Sequence, residues 1–141
     1  MYNLSAWQSV QLNVTLENVP GTLGKVAKAL SEQGVNILCM SQIAERTGGS
    51  ATLRFVTDKQ AEAKQVLGSL GYSAAEEEIL VITCPQNNPG VIAAIAQSLA
   101  AAGINLDDIY YSSSMKQVDT VVCLQVGKDD LAKAMEIVKG L

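Results

Sequence analysis

Residues 17–37 read ENVPGTLGKVAKALSEQGVNI, and residues 86–106 read QNNPGVIAAIAQSLAAAGINL. Sliding the chain by 69 positions places Asn18 on Asn87, Pro20 on Pro89, Gly21 on Gly90 and Leu30 on Leu99. The same offset places Gly34 on Gly103, Asn36 on Asn105 and Gly71 on Gly140 without a gap. Two copies are too few for a solenoid, so the repeat reads as a small unit written twice.

Each copy opens on a strand. Val10, Leu12, Val14 and Leu16 alternate along VQLNVTL (10–16), and ILVITC (79–84) is more continuously apolar, as a more buried strand would be. A Pro-Gly turn follows, then a helix. Its apolar positions are Leu23, Val26, Ala27 and Leu30 in copy one, and Ile92, Ile95, Ala96 and Leu99 in copy two. Gly34 and Gly103 end the helices, and a second strand starts at once (35–44 and 104–113). RTGGS (46–50) is a hairpin turn, with SMKQ (114–117) in the same role in copy two. ATLRFV and VVCLQV are third strands. DKQAEAKQVLGSL and KDDLAKAMEIVKG are second helices, with Thr57 or Asp58, and Asp129, as N-caps. GYSAAEEE (71–78) reads as strand four of copy one.

The order β-α-β-β-α-β predicts an α+β chain of two tandem ferredoxin-like domains, each an antiparallel sheet with helices on one face. The expected domains are 1–76, with an N-terminal extension at 1–8, and 77–141. By the offset, strand four of copy two would occupy about 141–147, past Leu141, so that copy is expected to lack its last strand. Residues 1–7, MYNLSAW, are expected to pair into the vacancy, because open sheet edges are normally protected.

Composition narrows the function. Apolar residues make up 48% of the 141 and charged residues 17%, enough for a packed core. The net charge of −4 and scattered basic residues argue against nucleic acid, and one Trp and one Phe against a base-stacking platform. No apolar run is long enough for a signal peptide or a membrane span, so a cytoplasmic chain is expected. There is no His, the commonest general base and metal ligand. Cys39, Cys84 and Cys123 are widely spaced and read as small buried hydrophobes rather than a zinc or redox site. GTLGKV (21–26) lacks the upstream Gly and following Ser or Thr of a phosphate loop. AEEEI (75–79) reads as a solvated strand, and DDIYYSSSM (107–115) as an exposed strand end or the lining of a seam or pocket.

The string NVPGTL…QGVNI, repeated as NNPGVI…AGINL, resembles the ACT domain family over nearly all of residues 9–141. That family's pattern is a strand, Asx-x-Pro-Gly, an amphipathic helix, and Gly-x-Asn-Ile opening strand two. Many members carry Asp where this chain has Asn18 and Asn87. The asparagine version is similar to regulatory domains that hold an amino-acid effector between two asparagines. The resemblance implies one ligand site at Asn18, Pro20, Gly21, Thr22, Leu23, Asn36 and Ile37. It implies a second at Asn87, Pro89, Gly90, Val91, Asn105 and Leu106. It also implies pairing of domains side by side, here as one eight-stranded sheet, and a homodimer.

Elementary chemistry agrees with such a ligand. A helix N-terminus suits a carboxylate, and glycine there allows close approach. An Asn amide can face either charge of a zwitterion without a charge of its own. The Thr22 hydroxyl slightly favours the first corner. The expected protein is non-catalytic and has no cofactor or metal. It binds a free amino acid and signals to a separately encoded metabolic enzyme, with neither nucleic acid nor membrane as partner. The alternatives are a ligand-free assembly module of the same fold, and a small enzyme of acylphosphatase type. The latter wants an Arg in the loop, and neither Pro-Gly corner has one.

Overall fold

The computed structural model describes residues 2–86, 88–113 and 119–141. Six strands and four helices follow one another: β1 (Ser5–Glu17), α1 (Thr22–Glu32), β2 (Ile37–Ala44), β3 (Ser50–Thr57), α2 (Gln60–Ser69), β4 (Ala74–Cys84), α3 (Val91–Ala101), β5 (Leu106–Ser112), β6 (Thr120–Val126) and α4 (Leu131–Lys139). A turn of 3-10 helix at Lys128–Asp130 leads into α4. The RTGGS hairpin is closed by a 3.0 Å bond from Glu45 N to Ser50 O. The SMKQ turn expected at 114–117 lies outside the described residues.

The eight-stranded sheet of two tandem ferredoxin-like domains is not what forms. The strands make one six-stranded sheet in the order β2-β3-β1-β4-β6-β5. GYSAAEEE and ILVITC were expected as two strands but run together as the eleven-residue β4. The first strand begins at Ser5, five residues before Val10, and is thirteen residues long. Two long strands thus stand where four short ones were expected, and the chain forms a single sheet.

The chain nevertheless clusters into two compact units, Val10–Glu77 and Met1–Ser9 with Glu78–Leu141, whose boundaries fall inside β1 and β4. In the first unit β3 pairs antiparallel with β1 (Leu12↔Phe55, Glu17↔Ser50) and with β2 (Met40↔Phe55). Period-2 alternation puts Leu12, Val14, Leu16, Leu53 and Phe55 on one face. There they pack against Val26 and Leu30 of α1 and Ala63, Val66 and Leu67 of α2.

In the second unit β6 pairs antiparallel with β4 (Ile82↔Val122) and β5 (Ile109↔Leu124). Leu80, Ile82, Val122 and Leu124 meet Val91, Ile95 and Leu99 of α3 and Leu131, Ala134 and Val138 of α4. Leu4 and Ala6 belong to this same core, and Tyr2 N donates to Leu141 O at 2.6 Å. The N-terminal segment therefore packs with residues 78–141.

The helix ends repeat. Val35 N bonds to Leu30 O at 3.0 Å, and Ile104 N bonds to Leu99 O at 2.9 Å. This six-residue closure ends each helix and turns the chain into the next strand. The N-cap of α2 is Lys59, not Thr57 or Asp58, and it has no side-chain cap; Thr57 Oγ1 accepts from Lys59 N at 3.2 Å, while Asp58 Oδ1 accepts from Asn36 N at 2.9 Å. Asp129 lies in the 3-10 turn and α4 begins after Asp130, without a side-chain cap. Cys84 and Cys123 are buried, and Cys39 is half-buried. Within AEEEI, Glu77 accepts from Gln11 Nε2 (3.0 Å) and Asn13 Nδ2 (3.2 Å), and Glu76 pairs with Lys64 (3.1 Å).

Candidate functional site

Each Pro-Gly corner delivers a glycine to the first position before a helix. Gly21 has φ +92° and Gly90 φ +97°, a region L side chains avoid. Neither helix start has a side-chain cap. The helices begin with Lys25 N to Gly21 O (3.0 Å) and Ala94 N to Gly90 O (2.8 Å). First-turn N–H groups ahead of those bonds have no intrahelical partner, and the helix dipole adds positive potential there.

The first corner opens on a cavity of about 390 Å³ lined by Glu17, Val19, Pro20, Gly21, Thr22, Lys25, Leu70 and Tyr72. Tyr72 donates its hydroxyl to Glu17 Oε2 at 2.5 Å. That bond, ahead of a backbone N–H and the Lys25 charge, holds the Glu17 carboxyl below its ordinary range and raises the Tyr72 phenol. The wall thus carries an anionic carboxylate, an ammonium and a helix N-terminus. The Thr22 hydroxyl turns back to Val19 O at 3.1 Å, so it braces the turn. The second corner opens on a cavity of about 270 Å³ lined by Asn88, Pro89, Gly90, Val91, Ile92, Ala93, Tyr111 and Thr120, without a charged side chain.

Of the residues expected at the first site, Pro20, Gly21 and Thr22 line its cavity. Asn18 stands beside it, with its N–H on Gly49 O at 2.7 Å. Leu23 and Ile37 pack partly into the core. Asn36 is elsewhere. Asp58 N donates to its carbonyl at 3.4 Å, at the end of β3 remote from Gly49. With β3 running from Ser50 to Thr57, the two asparagines are on the order of 25–30 Å apart. Within one unit they do not converge.

At the second site Pro89, Gly90 and Val91 line the cavity and Leu106 packs on the core. Asn105, whose amide donates to Asp107 Oδ1 at 3.1 Å, belongs to the far end of β6, where Leu106 pairs with Val126. Asn87 lies outside the described residues. Glu17, Lys25 and Tyr72 were not anticipated, because only tertiary folding brings Tyr72 to a corner 50 residues earlier. Among the described residues no group of three His, Cys, Asp or Glu side chains is placed to hold a metal ion. Nor is any helix long and apolar enough to cross a membrane.

This sheet and its Pro-Gly corner define an ACT-like fold, and residues 10–70 match the model of the ACT domain. The structure is similar over 96% of this chain to protein BT0572 from Bacteroides thetaiotaomicron (89% of that chain, TM-score 0.82, 23% identity). It is similar over 97% to the ligand-free regulatory subunit of aspartate kinase from Thermus thermophilus (95% of that chain, TM-score 0.72, 20% identity). The regulatory subunit of aspartate kinase from Thermus flavus matches over 98% (95% of that chain, TM-score 0.70, 20% identity). At these identities the likeness is one of fold. No curated protein matches the chain.

Proposed function

We propose that this chain is a non-catalytic regulatory protein that binds a free amino acid at the Gly21 corner and passes that state to a separately encoded enzyme. The observation that carries the proposal is the composition of the first cavity. A helix N-terminus and Lys25 can take a carboxylate, and Glu17 can take the ammonium on the same carbon. The ACT match spans this corner, and the fold is shared with proteins described as regulatory subunits. Signalling would be by differential affinity: the amino acid shifts an equilibrium between two arrangements by its difference in affinity for them, typically ~1–3 kcal/mol.

A homodimer fits the same reading and gives Asn36 a task. β2 is an edge strand with Leu38, Met40 and Ile43 exposed. Antiparallel pairing of two such edges about a two-fold axis would bring the Asn36 end of one copy to the Ala44 end of the other, where the partner's corner lies. The same exposed apolar edge also supports the second reading, an assembly module that needs no ligand.

A thermal-shift screen of the twenty proteinogenic L-amino acids separates the two. At 100 times its Kd a ligand of the folded state stabilises by ~2.7 kcal/mol, which is on the order of 5–10 °C for a chain of this size. A shift from one amino acid or a small related set is expected. Twenty unmoved melting curves would leave the assembly module.

A further inference from the structure

The two corners match in sequence but differ in what covers them. A Cβ built on Gly21 meets nothing within 4 Å. The same atom on Gly90 would lie 2.8 Å from the Tyr2 hydroxyl oxygen and 3.9 Å from Cζ of that ring. Tyr2 is fixed there. Its N–H donates to Leu141 O at 2.6 Å, and its ring packs on the core that holds Leu80, Ile95 and Leu99. Leu4 and Ala6, buried in the same core, anchor the segment behind it.

From this we infer that Tyr2 is a built-in occupant of the second corner, so that the chain takes one amino acid, at Gly21, and not two. A phenol suits the position. Its oxygen is an acceptor that can stand beside the Gly90 backbone without bringing a charge there, and its ring is an apolar body with one polar tip. The phenol stands against the glycine itself, on the side a Cβ would take, and not in the cavity of about 270 Å³ that Gly90 and Val91 also line; what it restricts is close approach to the Gly90 backbone. The inference rests on the amino-acid-binding reading of the first corner. It adds a stoichiometry, and it gives the N-terminal segment a second duty beyond completing the core.

The test uses the full chain in three forms: wild type, Tyr2→Phe, which keeps the ring and removes the oxygen, and Tyr2→Ala. Each is titrated calorimetrically with the L-amino acid that gives the largest thermal shift in the screen, and backbone amide shifts locate the site. Wild type is expected to bind one equivalent, moving the amides of Thr22 and Leu23 and not those of Val91 and Ile92. Tyr2→Ala is expected to gain a second equivalent at Val91 and Ile92. Tyr2→Phe, with the ring still packed, is expected to gain it more weakly, and it decides the matter if Tyr2→Ala does not fold. Two equivalents in wild type, or one in every folded variant, overturns the occupant role and leaves the amino-acid reading intact. Wild type that binds none of the twenty overturns the amino-acid reading and this inference with it.

Discussion

The Tyr72 hydroxyl donates a 2.5 Å hydrogen bond to Glu17 Oε2 across 55 residues of chain, joining the turn between α2 and β4 to the end of β1 at the first cavity. The bond ties a local pKa to stability. The Glu17 carboxyl is lowered from 4.5, so its contribution is present above that ordinary value and is lost as pH falls through the lower, folded one. The Tyr72 phenol is raised from 10.0, so its contribution holds below that value and is lost only as pH rises through the higher, folded one. The melting difference between wild type and Tyr72→Phe should therefore be flat across neutral pH and shrink in acid. Melting curves of both proteins from about pH 7 down to pH 3 check this. A difference that stays constant, or grows, on acidification is the contrary outcome.

Leu4 is buried in the second core, whose members on β4, α3, β6 and α4 begin at Leu80. Truncating it leaves a cavity lined by those residues. Leu4→Ala should cost ~2–4 kcal/mol in denaturant unfolding, a core-sized loss. A loss under ~0.5 kcal/mol, the scale of a surface substitution, would show that Leu4 is not part of the core.

The two corner glycines should respond unequally to the same substitution. Gly21→Ala meets open space and bears only the positive φ, worth roughly 1–2 kcal/mol. Gly90→Ala bears the same strain and must also displace the Tyr2 oxygen. It should be the more destabilising, and the excess should vanish in a Tyr2→Ala background, a coupling that a double-mutant cycle reads directly. Equal costs in both backgrounds would show that the phenol does not sit over Gly90.

Much of the fold was legible because hydrophobic periodicity records which face is buried. The helices at Leu23–Leu30 and Ile92–Leu99 and the alternating strand at Leu12–Leu16 fall where the pattern placed them. The number of strands was not legible. Along β4 the sequence turns from acidic to apolar at Ile79, and that change reads as a boundary between strands. It marks instead the point at which the strand passes from one unit to the next, since Glu77 clusters with the first and Glu78 with the second. Alternation reports burial and is silent on whether a strand has ended.

At the site, the corners were legible from Pro-Gly and a helix start. The pairing of Asn18 with Asn36 came from resemblance, and helix geometry works against it inside one unit. The eleven residues of α1 carry the chain about 16 Å along the sheet before Asn36 is reached. Lys25 and Tyr72 gave no signal in sequence, because their role arises only when α2 delivers Tyr72 beside Glu17.

The central claim is that the Gly21 corner receives a free amino acid. Its most direct test is backbone amide mapping of the isotopically labelled chain against the amino acid selected by the thermal-shift screen, repeated with Glu17→Gln. Saturable shifts centred on Gly21, Thr22 and Leu23, with weaker affinity in Glu17→Gln, are predicted, since that change removes the charge that would face the ligand ammonium. Saturable shifts centred elsewhere, with those three amides unmoved, would contradict it.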